Sequence, residues 1–384
     1  MRLNPLAFLL LICFLMSTKT EAQKTCGLRI SILTCSPGDE LYMTFGHSAI
    51  RVTDSFQRVD NVFNYGTFNF DDPGFYSKFI RGKLDYMLSV STFSDFIYEY
   101  QVEKRSVAEQ ELNLGCSEKQ RLYAALIQNY QGPSRFYKYD FLLDNCTTRE
   151  RDLLKKYAVD FHVKSAITPP GTSFRDLIHA YLDKGGQPWS KLGIDILLGS
   201  PVDRQTTNDG AMFLPDFFMK AVDSSKGETG DLVLHKQSLL NGNSYNPSTL
   251  EKYIPLMLFS IVALFIFLMS IHTARWAVVT TRVLDSLLFY LTGIIGMVIL
   301  FMWVATDHSM CRNNLNILWA LPTHFIAAFF VMKRPLAIRI YFLATAVLNG
   351  FLLITWFWLP QQFNVSLVPL VMVLMYRSGR LSKN

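Results

Sequence analysis

The sequence Tyr139-Asp-Phe-Leu-Leu-Asp-Asn-Cys-Thr-Thr-Arg149 contains a cysteine at the predicted start of a helix. Asp, Asn and Thr are favoured at helix N-caps and in the first turn, and a helical pattern follows over residues 149–157. Cys146 is therefore predicted to lie at or just inside a helix N-terminus. At that position the helix dipole lowers the pKa of a thiol, and free backbone N–H groups can stabilise a developing oxyanion.

A cysteine nucleophile needs a base, and the best candidate is His47 in Phe45-Gly-His-Ser-Ala-Ile-Arg-Val52. A lone cysteine is more often a small buried residue, and a lone strand histidine is more often a structural group. The two motifs together, one opening a strand and the other opening a helix, favour catalysis. We therefore predict an active centre of Cys146 and His47 that transfers acyl groups through a thioester.

The surrounding pattern predicts an α+β unit in which strands come first. Residues 28–70 contain short β-branched and aromatic runs, bracketed by the turns Ser36-Pro-Gly-Asp39 and Asp71-Asp-Pro-Gly74. Residues 74–130 have a mostly helical pattern, which includes an amphipathic helix over 117–129. The helix of Cys146 follows these elements.

The composition is too apolar for an ordinary soluble protein, since 50% of the 384 residues are hydrophobic. Long apolar runs dominate after residue 253, whereas residues 24–250 have an ordinary globular composition. The formal net charge of +6 is also uneven, because the basic excess gathers around the apolar runs. The sequence shows no basic patch interleaved with aromatic residues, so we expect no nucleic-acid partner.

Residues 1–22 have the layout of a secretory signal peptide. Arg2 is followed by an apolar run over 6–16 and by small and polar residues that end at Ala22. The apolar run is short for a bilayer span, and a retained N-terminal anchor is the alternative. Cys13 lies within this segment and is expected to be lost with it.

Three further cysteines are candidates for a disulfide, and the histidines are candidates for metal ligands. Cys26, Cys35 and Cys116 could include one disulfide in an oxidising compartment, and the sequence leaves the pairing open. The seven histidines show no metal-ligand spacing. We therefore expect neither a metal ion nor a diffusible cofactor.

Five apolar segments follow, of which four are long enough to cross a bilayer and the last is short: 253–271, 284–303, 315–332, 338–358 and 363–376. Basic residues gather after the first, third and fifth segments: Arg275, Arg282, Lys333, Arg334, Arg339, Arg377, Arg380 and Lys383. The opposite side carries only Arg312. By the positive-inside rule the basic side is cytoplasmic, so residues 23–250 are expected to be exported.

The predicted division of the chain has four parts. These are a signal peptide (1–22), a catalytic domain (23–160), a helical extension and linker (161–250) and an all-α five-helix transmembrane domain (251–384). The loop Thr306-Asp-His-Ser-Met-Cys-Arg-Asn-Asn314 is expected to face the same compartment as Cys146. It could contact a lipid headgroup through His308, or it could be a solvated connection.

Two resemblances follow from these motifs. The order of a histidine at a strand start and Asn-Cys at a helix start resembles the circularly permuted papain-like fold of the lecithin:retinol acyltransferase group. Nearly the whole chain, including the membrane region, is similar to the Lnb family of Bacteroides-type lipoprotein N-acyltransferases. That similarity is carried by Leu33-Thr-Cys-Ser-Pro-Gly-Asp-Glu-Leu-Tyr42, Phe45-Gly-His-Ser-Ala-Ile-Arg51, Asn64-Tyr-Gly-Thr-Phe68, Asp144-Asn-Cys-Thr-Thr-Arg149 and Gly193-Ile-Asp-Ile-Leu-Leu-Gly-Ser-Pro201.

The resemblance implies an activity and roles for individual residues. An acyl chain would move from a phospholipid to the α-amino group of a diacylglyceryl-cysteine on an apolipoprotein, with Cys146 carrying the thioester and His47 acting as the base. In the permuted fold a third group comes from the next strand, which points to Asn64, Tyr65 or Thr67. Asn64 is favoured because its amide can fix the imidazole tautomer.

Substrate-binding candidates lie beside these residues and in the external loop: Tyr65, Asn145, Arg149 and His308. Arg149 could grip a phosphate or pair with an acid. The expected partners are a phospholipid donor, a diacylglyceryl lipoprotein acceptor and the membrane. The expected location is the bacterial inner membrane, with the N-terminal domain in the periplasm and the C-terminus in the cytoplasm.

Two other functional classes stay open. One is a papain-like cell-wall peptidase or amidase with the same cysteine–histidine pair, although such an enzyme has no evident need for five membrane helices. The other is a non-enzymatic membrane-tethered chaperone, in which Cys146 would be structural. Replacing Cys146 by Ser separates an enzyme from a chaperone, and lipid dependence separates an acyltransferase from a peptidase.

Overall fold

The computed structural model describes residues 26–158, 161–228, 230–242 and 250–383. The predicted signal peptide, with Cys13, lies outside these residues. The described chain forms a β-sheet covered by helices on both faces, then a helical extension, and then an apolar helical region.

The β-sheet is built from most of the strands in the described residues. The strands are β1 Leu28–Cys35, β2 His47–Asp54, β3 Val59–Thr67, β4 Asp85–Thr92, β5 Val107–Leu112, β6 Phe136–Lys138, β7 His162–Val163, β8 Ser225–Gly227, β9 Gly230–Asp231 and β10 Val233–Leu240. Seven of them form an antiparallel sheet in the order β10-β5-β1-β2-β3-β4-β6, and β7, β8 and β9 form a small separate sheet. Successive residues of β1 are buried on opposite faces, with Ile30 and Ile32 on one and Leu33 and Cys35 on the other.

Helices cover both faces of this sheet. The helices before the apolar region are α1 Phe75–Ile80, α2 Phe93–Val102, α3 Cys116–Gln131, α4 Cys146–Tyr157, α5 Phe174–Lys184, α6 Pro188–Leu197, α7 Asn208–Ala211 and α8 Pro215–Asp223. One core cluster joins the sheet to α3, α4 and α8 through Leu122, Leu154 and Phe218. A second cluster joins the opposite face to α2 through Phe96 and Tyr100. The predicted α+β class is confirmed.

A disulfide settles the pairing that the sequence left open. Cys26, just before β1, is bonded to Cys116, the first residue of α3, across a sequence separation of 90 residues. Cys35 is free and buried, as are Cys146 and Cys311. A disulfide of this kind is typical of proteins in oxidising compartments.

The prediction of a linker is wrong for residues 233–240, because these residues form a strand of the main sheet. Strand β10 pairs with β5, from Val233↔Leu112 to Leu240↔Val107, and forms one edge of the sheet. Most side chains of β10 are exposed. Backbone hydrogen bonds to β5 hold this edge strand in place. Because its side chains need not be buried, its sequence lacks the apolar pattern that predicts a buried strand.

The apolar region consists of α9 Ile254–Ile271, α10 Arg275–Val304, α11 His324–Ala327, α12 Leu336–Thr355 and α13 Val368–Leu381. Among the described residues, three helical stretches are long and apolar enough to cross a membrane: Glu251–Ile271, Arg275–Val304 and Leu336–Thr355. They correspond to the first, second and fourth predicted segments. Helix α10 begins nine residues before its predicted segment, which started at residue 284.

Two of the five predicted spanning helices are not confirmed. Residues 315–332 contain the four-residue α11 between short 3-10 turns, and residues 363–376 contain only part of the 14-residue α13. Near the start of the third segment, the buried side chain of Asn316 accepts a hydrogen bond from Trp319 Nε1 and donates to a backbone carbonyl of α6.

Buried polar contacts fix the helical extension against the loops of the apolar region. The Asp195 carboxylate on α6 accepts from Asn364 Nδ2 at 2.9 Å, and the Asp195 carbonyl accepts from Asn316 Nδ2 at 2.8 Å. The same carboxylate forms a buried ion pair with Arg175 of α5 at 2.8 Å. Buried charges and amides need hydrogen-bond partners. These contacts therefore fix the position of the helical extension relative to the loops of the apolar region.

Candidate active site

Local hydrogen bonds place Cys146 at the first position of helix α4, as predicted. Asn145 is the N-cap: its Oδ1 accepts from the backbone N–H of Thr148 at 2.8 Å, and its own N–H donates to Thr148 Oγ1 at 2.7 Å. Its Nδ2 donates to the carbonyls of Phe141 and Phe213 at 2.9 and 2.8 Å. Asn145 therefore uses its amide to fix the helix start. Although it lines the cavity described below, its amide is already engaged.

His47 opens strand β2 and is oriented by the neighbouring strand β3. Its Nε2 lies 3.3 Å from Asn64 Oδ1, and because that oxygen only accepts, the ring carries its proton on Nε2. The Nδ1 lone pair is then the one available to act as a base. A bond of 3.0 Å from Ser48 Oγ to Thr147 Oγ1 ties β2 to the start of α4. This bond joins the residues next to His47 and Cys146.

A cavity of about 450 Å³ contains both predicted catalytic side chains. Most of its lining is apolar, and it extends from His47 and Cys146 to His308. Gly66 (φ +86°) lies over the nucleophile, where a Cβ would stand 3.4 Å from the Cβ of Cys146. Glycine therefore allows close approach of β3 to the nucleophile. Within the described ranges, no group of three or more His, Cys, Asp or Glu residues could hold a metal ion.

The electrostatics of the pair differ from the sequence expectation. Burial raises the pKa of the Cys146 thiol, despite hydrogen bonds from the Thr147 hydroxyl and from the backbone N–H groups of Ser48, Thr147 and Cys146 itself. Burial also lowers the pKa of His47. The expected lowering of the thiol pKa at the helix N-terminus is thus outweighed by desolvation. A neutral thiol and a neutral imidazole follow at neutral pH.

The contacts of the sulfur agree with this neutral resting state. Among the described residues, Cys146 Sγ has Thr147 Oγ1 as its side-chain hydrogen-bond partner, at 3.6 Å, and no hydrogen bond joins it to His47. Catalytic hydrogen bonds often tighten only when substrate binds. The three surrounding N–H groups can stabilise a charge that forms during the reaction, either on sulfur or on a bound carbonyl oxygen.

Sequence reasoning missed the buried acid Glu150. It lies four residues after Cys146 on α4 and is fully buried. Burial and the nearby Cys146 raise its pKa well above the ordinary value, while His47 and the Ser48 hydroxyl oppose that shift. The spacing could have revealed it, because residues i and i+4 of a helix share one face. The Glu150 carboxyl group therefore lies close to the predicted catalytic pair, and its burial favours the neutral form.

Three other predicted residues are engaged away from the cavity. The Tyr65 hydroxyl accepts from Asn129 Nδ2 at 2.8 Å within the core, and Thr67 is bonded to Ser89 at 2.7 Å. Arg149 forms a two-bond ion pair with Asp144 at 2.6 and 2.8 Å. None of the three residues lines the cavity, and the substrate-binding roles of Tyr65 and Arg149 stay predictions. Asn64 is the candidate third group that contacts His47.

The external loop after α10 reaches the site, as the prediction for His308 required. His308 lines the cavity, and its Nε2–H points at the carbonyls of Phe79 and Ile80, 3.1 Å from each. Ser309 Oγ donates to Asp140 Oδ2 at 2.8 Å. The loop therefore contacts both α1 and the segment that leads to Cys146. A substrate-binding role for His308 stays a prediction.

Two models of one protein family match the chain, one in the N-terminal region that contains the β-sheet and one in the apolar helical region. The Lnb N-terminal periplasmic domain matches residues 17–180, and the Lnb transmembrane domain matches residues 247–383. The chain is thus a membrane protein with a periplasmic N-terminal region. It belongs to the Lnb family, which confirms the resemblance seen in the motifs. No curated protein and no solved structure matches the chain, so the circularly permuted papain-like fold stays a prediction.

Proposed function

We propose that the protein is a lipoprotein N-acyltransferase that uses Cys146 as nucleophile and His47 as base. One observation carries this proposal: a single apolar cavity joins Cys146 and His47 to His308, in the loop that follows the apolar helix α10. An apolar pocket of this size suits an acyl chain. A nucleophile beside the end of a membrane helix suits substrates that are themselves anchored in a bilayer.

In the first half-reaction, Nδ1 of His47 takes the thiol proton while Cys146 Sγ attacks the ester carbonyl of a phospholipid. The backbone N–H groups of Ser48, Cys146 and Thr147 stabilise the oxyanion. The carbon–oxygen ester bond then breaks, and the imidazolium gives its proton to the leaving oxygen. The products are a thioester on Cys146 and a lysophospholipid.

In the second half-reaction, the α-amino group of a diacylglyceryl-cysteine attacks the thioester. His47 takes a proton from the amine, and the carbon–sulfur bond breaks to give the amide. The thiolate is reprotonated by the imidazolium, which restores the neutral pair. We propose further that the protein lies in the bacterial inner membrane and that its C-terminus is in the cytoplasm.

Trapping the acyl-enzyme tests the proposal. The full-length protein, in vesicles whose phospholipid carries a deuterated acyl chain, should gain the mass of that chain on the peptide containing Cys146. Neutral hydroxylamine should remove it, as expected for a thioester. His47→Ala should abolish labelling, whereas Cys311→Ala, which changes another buried thiol, should retain it. Absence of acyl mass on Cys146 in the wild-type protein contradicts the proposal.

A further inference from the structure

A continuous row of aromatic side chains leads from the protein surface to the cavity of Cys146. Successive ring centroids are 4.3 to 6.1 Å apart, within the usual range for aromatic pairs. We call this row the aromatic path; from the surface inward it consists of Phe79, Phe75, Phe70, Phe68, Tyr86 and Tyr139. Phe68, Tyr86 and Tyr139 at its inner end line the cavity together with Cys146, and Phe79 lines the cavity as well.

The apolar side chains at and beside the outer end of the aromatic path are widely exposed. Tyr76 is 77% exposed, Phe70 65%, Ile80 50% and Phe79 49%. We call these four side chains the α1 patch. Apolar area in water is unfavourable by about 25 cal/mol per Å², and contiguous exposed apolar groups usually mark a surface that binds something.

The external loop holds the α1 patch close to the end of a membrane helix. The backbone N–H of Asp307 donates to the carbonyl of Arg81 at 2.9 Å, next to the His308 contacts with Phe79 and Ile80. Asp307 lies three residues after Val304, the last residue of α10, and three residues span at most about 11 Å. The α1 patch therefore lies near the level at which α10 ends.

A glycine makes this close approach possible. Gly82 (φ +67°) follows α1, and a Cβ there would lie 3.3 Å from the backbone of Asp307 and His308. A larger residue would be strained at this φ and would push the loop away. The fold thus keeps α1 against the loop of the membrane region.

The surroundings of the α1 patch fit a phospholipid surface better than another protein. Arg81 and Lys83 are exposed directly after α1, where they can meet lipid phosphates. Aromatic side chains such as Tyr76 are enriched at the boundary between membrane and water. Val304, at the end of α10, is also widely exposed, so apolar surface is exposed both on α1 and at the end of the membrane helix.

We propose that the α1 patch inserts into the bilayer that holds α10, on the side of the periplasmic domain, and that the aromatic path guides a lipid acyl chain from there to Cys146. The insertion is argued from the structure alone, whereas the guiding role rests on the acyltransferase function proposed above. The α1 patch would then both anchor the periplasmic domain to the membrane and admit the phospholipid donor. The bound lipid enters from the leaflet without passing through water.

A depth measurement tests the insertion without any need for activity. A nitroxide is attached at Ile80→Cys, or at the control Phe56→Cys, in full-length protein carrying Cys146→Ser and held in phospholipid nanodiscs. Phe56 is a suitable control because it is 71% exposed and lies in the turn after β2, at the opposite end of that strand from His47. The other free cysteines of the described residues, Cys35 and Cys311, are buried.

The label at Ile80 should relax faster with oxygen, which concentrates in lipid, than with a water-soluble nickel complex. The label at Phe56 should show the opposite order. Equal behaviour at the two positions overturns the insertion. Protection of the Ile80 label from both reagents also overturns it, because that result indicates cover by protein.

A second comparison tests the guiding role. In the variant Phe70→Ser with Tyr76→Ser, which removes one member of the aromatic path and one further side chain of the α1 patch, acylation of Cys146 from vesicle phospholipid should fall about tenfold, because two apolar side chains are lost from the bilayer contact. Acylation from a monomeric short-chain phospholipid should stay within about twofold, since no bilayer contact is then needed. Phe56→Ser should change neither rate. Equal losses with both donors overturn the guiding role, and absence of acylation in the wild type contradicts the proposed function while the depth measurement stands.

Discussion

The His47 ring and the Asn64 side-chain amide meet at 3.3 Å, just beyond the last paired residues of strands β2 and β3. The ladder between these strands ends at Ile50↔Phe63, so the contact lies beyond it, and His47 lines the cavity. When Asn64 Oδ1 accepts from Nε2, the Nδ1 lone pair is left for the base role proposed above. We therefore propose Asn64 as a positioning residue, and its role can be tested.

Removing this contact should slow the reaction without abolishing it. For Asn64→Ala we expect a loss of kcat of between ~10-fold and ~100-fold, less than the roughly 10²–10⁴-fold typical of the general base itself. Asn64→Asp should retain the tautomer and move the acid limb of the pH profile upward, because a carboxylate raises the pKa of His47. Initial rates of Cys146 acylation across pH provide the measurement. An unchanged profile in both variants contradicts the positioning role.

The raised pKa of Cys146 predicts slow alkylation of the resting protein at neutral pH. A folded thiol pKa above its ordinary 9.0 means that the reactive thiolate increases with pH and does not saturate below pH 9. Alkylation by iodoacetamide, followed by mass spectrometry of the Cys146 peptide, should therefore keep accelerating up to that pH. Cys146→Ser is the control for other thiols. A rate that levels off by pH 7 would indicate a preformed thiolate–imidazolium pair instead.

The buried acid Glu150 predicts a stability difference that grows with pH. Its folded pKa lies well above the ordinary 4.5, so the unfolded chain binds fewer protons above that pH and wild-type stability declines as pH rises. Glu150→Gln cannot ionise in either state. The variant should therefore unfold at a higher temperature than the wild type at pH 8, and the difference should shrink near pH 4.5. A difference independent of pH would mean that Glu150 is ionised in the folded protein.

The buried pair of Asp285 and Arg377 joins α10 to α13 with two bonds of 2.7 Å. Breaking it on one side leaves a buried charge unpaired, so Asp285→Leu or Arg377→Met alone should lose about 3–5 kcal/mol of stability. The double variant should recover most of that loss, because an apolar pair needs no partner. Thermal unfolding in nanodiscs measures this. Additive losses in the double variant would show that the pair does not act as a unit.

The parts of the site that depend on neighbouring residues could be predicted from the sequence. Asn145 and Thr148 cap the helix of Cys146 within four residues, and the signal for that cap is wholly local. The strand start at His47 was likewise predictable from local pattern. The contact with Asn64 came from the family resemblance, because the order of paired strands fixes it and local pattern does not.

The remaining errors come from tertiary structure. Desolvation by the packed core reverses the pKa shift that the helix N-terminus alone predicts for Cys146. The edge strand β10 is recognised only through its pairing with β5. Arg377, read from the sequence as a charge flanking the last apolar segment, is instead buried against Asp285. An acid within an apolar segment was the available signal for that pair.

The intact mass of a reporter lipoprotein's N-terminal peptide tests the central claim most directly. It is compared in cells that carry the wild-type protein, Cys146→Ala or His47→Ala, with equal amounts of each protein in the membrane. A third acyl chain on the N-terminal cysteine that appears only with the wild type is the predicted result. A third chain in all three strains would contradict the Cys146–His47 centre and would leave Cys146 with a structural role.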